Sequence, residues 1–129
     1  MLRLSGIHHV AVICSDYARS KDFYTRVLGL TLLSENYRKE RDSWKADLGI
    51  HDHYVIELFS FPTTPPRPSR PEALGLRHLA FAVSNIDECV QKLAEAGVTT
   101  EPIRVDEYTG KRFTFFEDPD KLPLEIYEQ

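Results

Sequence analysis

Four residues stand out for the chemistry they can do: His9 in I-H-H-V-A-V, Glu57 in Y-V-I-E-L-F, His78 in L-R-H-L-A-F-A-V and Glu125 in L-P-L-E-I-Y. Imidazole nitrogen and carboxylate oxygen are ligands of divalent first-row metals. Glu57 follows His9 by 48 residues and Glu125 follows His78 by 47. One His-to-Glu unit therefore occurs twice, offset by 69 residues at the His and 68 at the Glu. Taken singly, a His or Glu in an apolar run is more often an ordinary residue than a ligand. A carboxylate among large apolar side chains is costly, however, unless a cation or donor partners it. A pair repeated at matched spacing points to a shared metal site in a duplicated fold.

His8 and His9 are neighbours, so on a strand they point to opposite faces and only one can join the set. His9 matches His78: H-V-A-V corresponds to H-L-A-F, and a helix cap follows seven residues later in each case. His8 is then structural or at the surface. His51 and His53, beside Gly49 and Asp52, read as solvent-facing turn residues.

The elements that must position these residues come in the same order twice. Residues 7–14 read as a strand, and Ser15 and Asp16 offer a helix cap. Tyr17 to Leu28 has helical apolar spacing and stops at Gly29. Residues 31–40, 43–50 and 53–61 read as three more strands, the first two joined by a turn around Asp42. In the last, Val55, Glu57, Phe59 and Phe61 share a face. Residues 62–71, P-T-T-P-P-R-P-S-R-P, hold five prolines and read as an extended connector rather than a central strand or helix. Then follow a strand at 76–83, a capping box of Asn85 and Glu88, and a core-facing helix through Ile86, Cys89, Val90, Leu93 and Ala94. Gly97 ends that helix, and strands follow at 99–105, 111–117 and 123–128. Each half is strand, helix, three strands: an α+β fold of two βαβββ modules, 5–61 and 74–129, in one domain spanning 1–129. Neither half of roughly 60 residues buries much surface alone, so the halves should pair.

The balance of the chain narrows the function classes. With 16 basic and 20 acidic residues the net charge is −4, and no basic stripe appears, which argues against a nucleic-acid partner. No run approaches the ~18 apolar residues of a membrane span. The first residues, M-L-R-L-S-G-I-H-H, lack the apolar stretch of a signal peptide. Cys14 and Cys89 read as buried free thiols, and the expected location is cytoplasmic.

At these residues the sequence resembles the vicinal oxygen chelate superfamily, which includes glyoxalase I, bleomycin resistance proteins and ring-cleaving dioxygenases. Within it the chain is most similar to a small bacterial group of YaeR type. The resemblance spans the chain and rests on H-H-V-A-V…S-D, F-Y-T-R-V-L-G-L, R-D-S-W-K, Y-V-I-E-L-F-S-F-P, R-P-S-R-P-E-A, G-L-R-H-L-A-F-A-V, R-F-T-F-F-E-D-P-D and L-P-L-E-I-Y-E.

It implies two βαβββ modules whose curved mixed sheets cup one divalent metal per site. The ligands would be His9, Glu57, His78 and Glu125, with zinc, nickel, cobalt, manganese and iron all compatible. It also implies a homodimer and a lyase or isomerase that removes a proton beside a carbonyl, leaving a metal-stabilised enediolate. Glu125 or Glu57 would be the base. A carboxylate at Glu57 separates this branch from the dioxygenases and the fosfomycin-modifying enzymes, which bind metal through two His and one Glu. Ile13 and Phe61 stand where glutathione-using members carry Arg and Asn. They point to another small substrate with adjacent oxygens. Arg38, Arg41, Trp44 and Lys45 on the strand pair of the first module, and Arg112 in the second, are the candidate substrate contacts for a carboxylate or phosphate. The other readings are a small-molecule sequestering module without turnover and, more remotely, a metal-dependent dioxygenase.

Overall fold

The structure, a computed structural model, describes residues 1–129. The chain divides within the proline-rich connector into two compact units, Met1–Pro65 and Pro66–Gln129. No helix is long and apolar enough to cross a membrane.

The first unit runs β1 (Val10–Cys14), α1 (Tyr17–Asp22), β2 (Thr31–Arg38), β3 (Ser43–Ile50) and β4 (His53–Ser60). The strands form one mixed sheet in the order β1-β4-β3-β2, with β1 parallel to β4 and the other pairs antiparallel. The Asp16 side chain caps α1 by accepting from the Arg19 amide at 3.1 Å. The helix expected to reach Leu28 is α-helical only to Asp22. A π-helical turn, Phe23–Val27, completes it and turns Phe23 and Tyr24 into the core. Gly29, at φ 79°, then takes the left-handed conformation that stops it. The β2–β3 turn is a single 3₁₀ turn, Lys39–Arg41, closed by Asp42 in the left-handed region.

The second unit repeats this order: β5 (Leu79–Val83), α2 (Ile86–Glu95), β6 (Arg104–Val105), β7 (Arg112–Glu117) and β8 (Pro123–Glu128). Its sheet is β5-β8-β7-β6, again with one parallel pair, β5 and β8. Asn85 caps α2 by accepting from the Glu88 amide at 3.1 Å. The strand expected over 99–105 shortens to Arg104–Val105. Before it, Glu101 is tied in place by bonds that are not a continuous ladder: its amide donates to Phe115 O, and its carbonyl accepts from the Thr114 hydroxyl.

Alternation along each sheet sorts side chains into two classes. On the helix-facing side of the first sheet Val12, Cys14, Ala46, Leu48, Ile56 and Leu58 are buried, joined by Phe23 and Tyr24. In the second sheet Leu124, Ile126, Thr114 and Phe116 are buried, with Ile86 and Leu93 of α2. Each such aliphatic side chain contributes about 1.5–3 kcal/mol when taken out of water. The row containing Glu57 is therefore not the core row. Val55, Glu57 and Phe59 lie on the other, half-open face, so the carboxylate escapes full desolvation. The same holds for Glu125, between buried Leu124 and Ile126.

Candidate functional site

His9 and His78 were expected within strands. Each instead immediately precedes one, β1 and β5 respectively, while Glu57 and Glu125 lie inside the adjoining parallel strands β4 and β8. The parallel register aligns Ala11 with Glu57 and Ala80 with Glu125. The His two residues earlier is then on the same face, one step along. The result is a repeated pair. His9 Nε2 is 3.6 Å from Glu57 Oε1, and His78 Nε2 is 2.9 Å from Glu125 Oε2. Within either unit no third His, Cys, Asp or Glu joins the pair to form a metal-binding group.

The donor chemistry of each pair, one imidazole nitrogen and one carboxylate, suits a divalent metal. Both pairs keep moderate exposure, with side chains 35% and 17% exposed for His9 and Glu57, and 29% and 12% for His78 and Glu125. An ion can therefore reach them. His78 Nδ1 is buried with no hydrogen-bond partner, an orphaned polar atom on a ring whose other nitrogen faces the carboxylate. His9 differs: its Nδ1 lies 2.8 Å from His8 Nδ1, and its ring stacks on Tyr54 at 4.9 Å between centroids. His8, set aside from the sequence, thus holds the other edge of the His9 ring, a contact of the kind that would orient the imidazole toward a metal were one bound. The repeated H-H was the only sequence sign of it.

The surroundings of the two pairs are unlike. Around Glu57 the face is charged. Lys45 Nζ lies 3.3 Å from Glu57 Oε2 and 2.7 Å from Asp47 Oδ1, and the Ser34 hydroxyl donates to Asp47 Oδ2 at 2.9 Å. Hydrogen bonding to Asp47 raises the Lys45 pKa above that of a free lysine. Burial pushes the Asp47 carboxyl up, but the hydrogen bonds from Lys45 and Ser34 outweigh it and leave the net shift downward. Burial, and the Asp47 carboxylate after it, raise the Tyr54 phenol. Asp47 went unmarked in the sequence, although its place two residues after Lys45 put it on the same strand face, opposite Glu57.

Around Glu125 the face is aromatic and small. Phe115 pairs across the strands with Glu125 and meets the His78 ring edge-on at 5.0 Å, Phe113 stacks on Tyr127, and Ala80 and Ala82 are exposed. The Tyr127 hydroxyl donates to Asp106 Oδ2 at 3.0 Å and is hydrogen-bonded to the Thr109 hydroxyl, tying down the 106–110 turn.

The expected substrate contacts separate by face. Lys45 and Arg38 are on the Glu57 face. The Arg38 guanidinium carbon lies 4.7 Å from the Phe59 ring centre and 5.7 Å from that of Phe61. Trp44 is on the opposite, helix-facing side, stacked on Tyr17 at 5.3 Å and against Tyr37. Strand alternation from Lys45 puts it there. Arg112 likewise faces α2, bridging Glu128 at 2.9 Å and Asp87 at 3.0 Å. Arg41 lies in the β2–β3 turn and is exposed. Ile13 is 54% exposed on the Glu57 face, in register with Phe59. His51 and His53 are exposed at the β3–β4 turn. Neither cysteine is in a disulfide: Cys14 is buried, its thiol donating to Phe59 O at 3.2 Å, and Cys89 is partly buried.

Residues 6–126 match the family model of the glyoxalase/bleomycin resistance protein/dioxygenase superfamily. The chain is 64% identical to the protein YaeR of Escherichia coli (strain K12), described as uncharacterized, over the full length of both. It is 32% identical to a lactoylglutathione lyase of Escherichia coli O157:H7, covering 94% of this chain and 90% of that one. Among solved structures, the glyoxalase family protein of Enterococcus faecalis superposes with a TM-score of 0.89 at 51% identity, covering 96% of this chain and 98% of that one. Two four-stranded mixed sheets from a repeated βαβββ order, with a family match over nearly the whole length, make this chain a member of the glyoxalase/bleomycin resistance protein/dioxygenase superfamily.

Proposed function

We propose that this protein is a divalent-metal-dependent lyase or isomerase of glyoxalase I type, acting on a small molecule with two adjacent oxygens. The observation that carries this reading is the repeated pair. Both units set a His and a Glu side by side at the mouth of a parallel strand pair, His9 with Glu57 and His78 with Glu125. Its support is the full two-imidazole, two-carboxylate complement, together with the likeness to a lactoylglutathione lyase. His9, Glu57, His78 and Glu125 are the proposed ligands, and a homodimer is the proposed assembly. A bound divalent ion supplies Lewis acidity toward the two substrate oxygens, lowering the cost of negative charge on them.

The chain's residues do the rest. His9 and His78 would present ring nitrogens to the ion. Glu57 or Glu125 takes the proton from the carbon bearing one oxygen and returns it to the neighbouring carbon, while the hydroxyl proton of the first oxygen passes to the second, which completes the isomerisation. Ile13 and Phe61 offer no charge or amide to a glutathione moiety: Ile13 is apolar and exposed, and Phe61 lies beneath the Arg38 guanidinium. The substrate is accordingly an adduct or oxo compound other than the glutathione hemithioacetal.

The test is metal content by elemental analysis of the purified protein, followed by turnover of methylglyoxal hemithioacetals made with several thiols. A chain that neither carries nor takes up a divalent ion sinks the proposal. Tight binding of such adducts without product would instead favour a sequestering module.

A further inference from the structure

Arg38 is an unusually placed cation. It sits at the end of β2, in register with Ser43, and so on the Glu57 face of the first sheet. Its guanidinium lies over the Phe59 and Phe61 rings, which are themselves stacked at 5.9 Å. One terminal nitrogen donates to the Ser43 hydroxyl at 2.8 Å, and Nε is buried with no hydrogen-bond partner. The buried Nε is costly to leave unpaired, and the half-buried guanidinium has no carboxylate paired with it, so its outer nitrogens are left to meet an anion from outside the chain. The second unit shows what a merely structural arginine looks like in this setting. Arg104 lies over Phe113 and Phe115 at 5.0 and 5.8 Å, but its guanidinium is neutralised by Glu101 at 3.1 Å. Arg38 has the same aromatic bed and a hydroxyl in place of the carboxylate. Lys45, the other cation on the face, is already taken by Asp47 and Glu57.

The position relative to Glu57 sets a length. Phe59, under the guanidinium, is two residues along β4 from Glu57, roughly 7 Å at the usual strand rise. A chain of about five or six bonds spans that distance.

We propose that Arg38 is a specificity-determining residue that receives an oxyanion of the substrate, carried about five or six bonds from the adjacent oxygens held at Glu57. This rests on the metal-site reading above and adds a substrate class to it: small oxo acids or adducts with a distal carboxylate or phosphoryl group. The planar fork of the guanidinium fits either oxyanion through paired hydrogen bonds, and the two Phe rings hold it flat for that contact.

The test uses the full-length protein and three probes: 2-oxoadipate, its analogue with a terminal phosphonate, and 2-oxohexanoate, which keeps the adjacent oxygens but lacks the distal anion. Divalent metal is titrated first, by calorimetry, into wild type, Arg38→Met and Arg38→Lys. Each probe is then titrated into the loaded proteins. Wild type should bind at least one of the probes with a distal anion more tightly than 2-oxohexanoate. Arg38→Met should weaken that probe by about 10- to 100-fold, while metal and 2-oxohexanoate affinities stay within about twofold. Arg38→Lys should recover part of the loss. Equal weakening of all probes, or of metal uptake in Arg38→Met, would show Arg38 to be structural and overturn the inference. Equal affinity of wild type for the probes with and without the distal anion would do the same. Failure of wild type to take up metal overturns the metal-site reading, and this inference with it. The separate metal titration tells the two failures apart.

Discussion

The Lys45 ammonium lies 3.3 Å from Glu57 Oε2, while no lysine or arginine is paired with Glu125 in the second unit. The two proposed carboxylate ligands thus differ in what they must give up to take a metal. A divalent ion on Glu57 comes close to an ammonium that Asp47 keeps charged. Lys45→Met should therefore raise divalent-metal affinity, by about 5- to 10-fold after solvent screening. Calorimetric titration at two salt concentrations checks it. Unchanged or weaker affinity would mean that Lys45 holds Glu57 in its ligating position instead.

The ligand set itself makes a graded prediction. Removing a ligand, as in His78→Ala or Glu57→Gln, should lower metal affinity by more than about 100-fold. Removing the neighbour of His9 in His8→Ala should cost about 10-fold, the lower end for a residue that orients a ligand. Elemental analysis after dialysis against a weak chelator ranks the three. An unaffected His8→Ala protein would assign His8 to the surface, as the sequence first suggested.

On the helix-facing side, Glu35 accepts from Lys21 at 2.7 Å and from the Tyr17 hydroxyl, and these hydrogen bonds, that of Lys21 foremost, hold its carboxyl below the usual 4.5. A carboxylate whose pKa falls on folding stabilises the folded state above its unfolded value and loses that contribution as pH drops through the folded one. Glu35→Gln should leave a shallower decline in urea midpoint below about pH 4.5 than wild type shows. An identical acid limb in both proteins would refute the assignment.

Each unit has its own aliphatic centre. Leu58→Ala and Leu124→Ala, both at fully buried positions, should each cost about 2–5 kcal/mol by urea denaturation. The cap variant Asn85→Ala should cost about 1 kcal/mol, since only the Glu88 amide loses its acceptor.

The elements were legible in the sequence because apolar alternation and caps are local signals: Asp16, Asn85 and the strands β2, β3, β4, β7 and β8 lie within a few residues of where the pattern placed them. The π-helical turn was not legible, because Phe23, Tyr24 and Val27 are compatible with α-helical spacing and only packing selects the wider turn. The short β6 was overread, because a run such as T-T-E-P-I-R-V carries strand propensity while only Arg104 and Val105 take up ladder register with β7. For the candidate site, the His–Glu pairing within each half followed from the repeat. The separation of Lys45 and Arg38 from Trp44 and Arg112 needed the register, which fixes the face on which each side chain falls.

The different linings of the two His–Glu pairs have an evolutionary consequence. A doubled module carries its His–Glu pairs in duplicate and its linings singly. Lys45 and Asp47 occupy the strand positions that Phe113 and Phe115 fill in the other half. Selection therefore acts on one copy's charged lining without disturbing the other copy's aromatic one, and neither change touches an imidazole or a carboxylate of the pairs. Duplication followed by divergence of the linings alone is a short mutational route by which such a chain changes its chemistry's clientele while keeping its machinery.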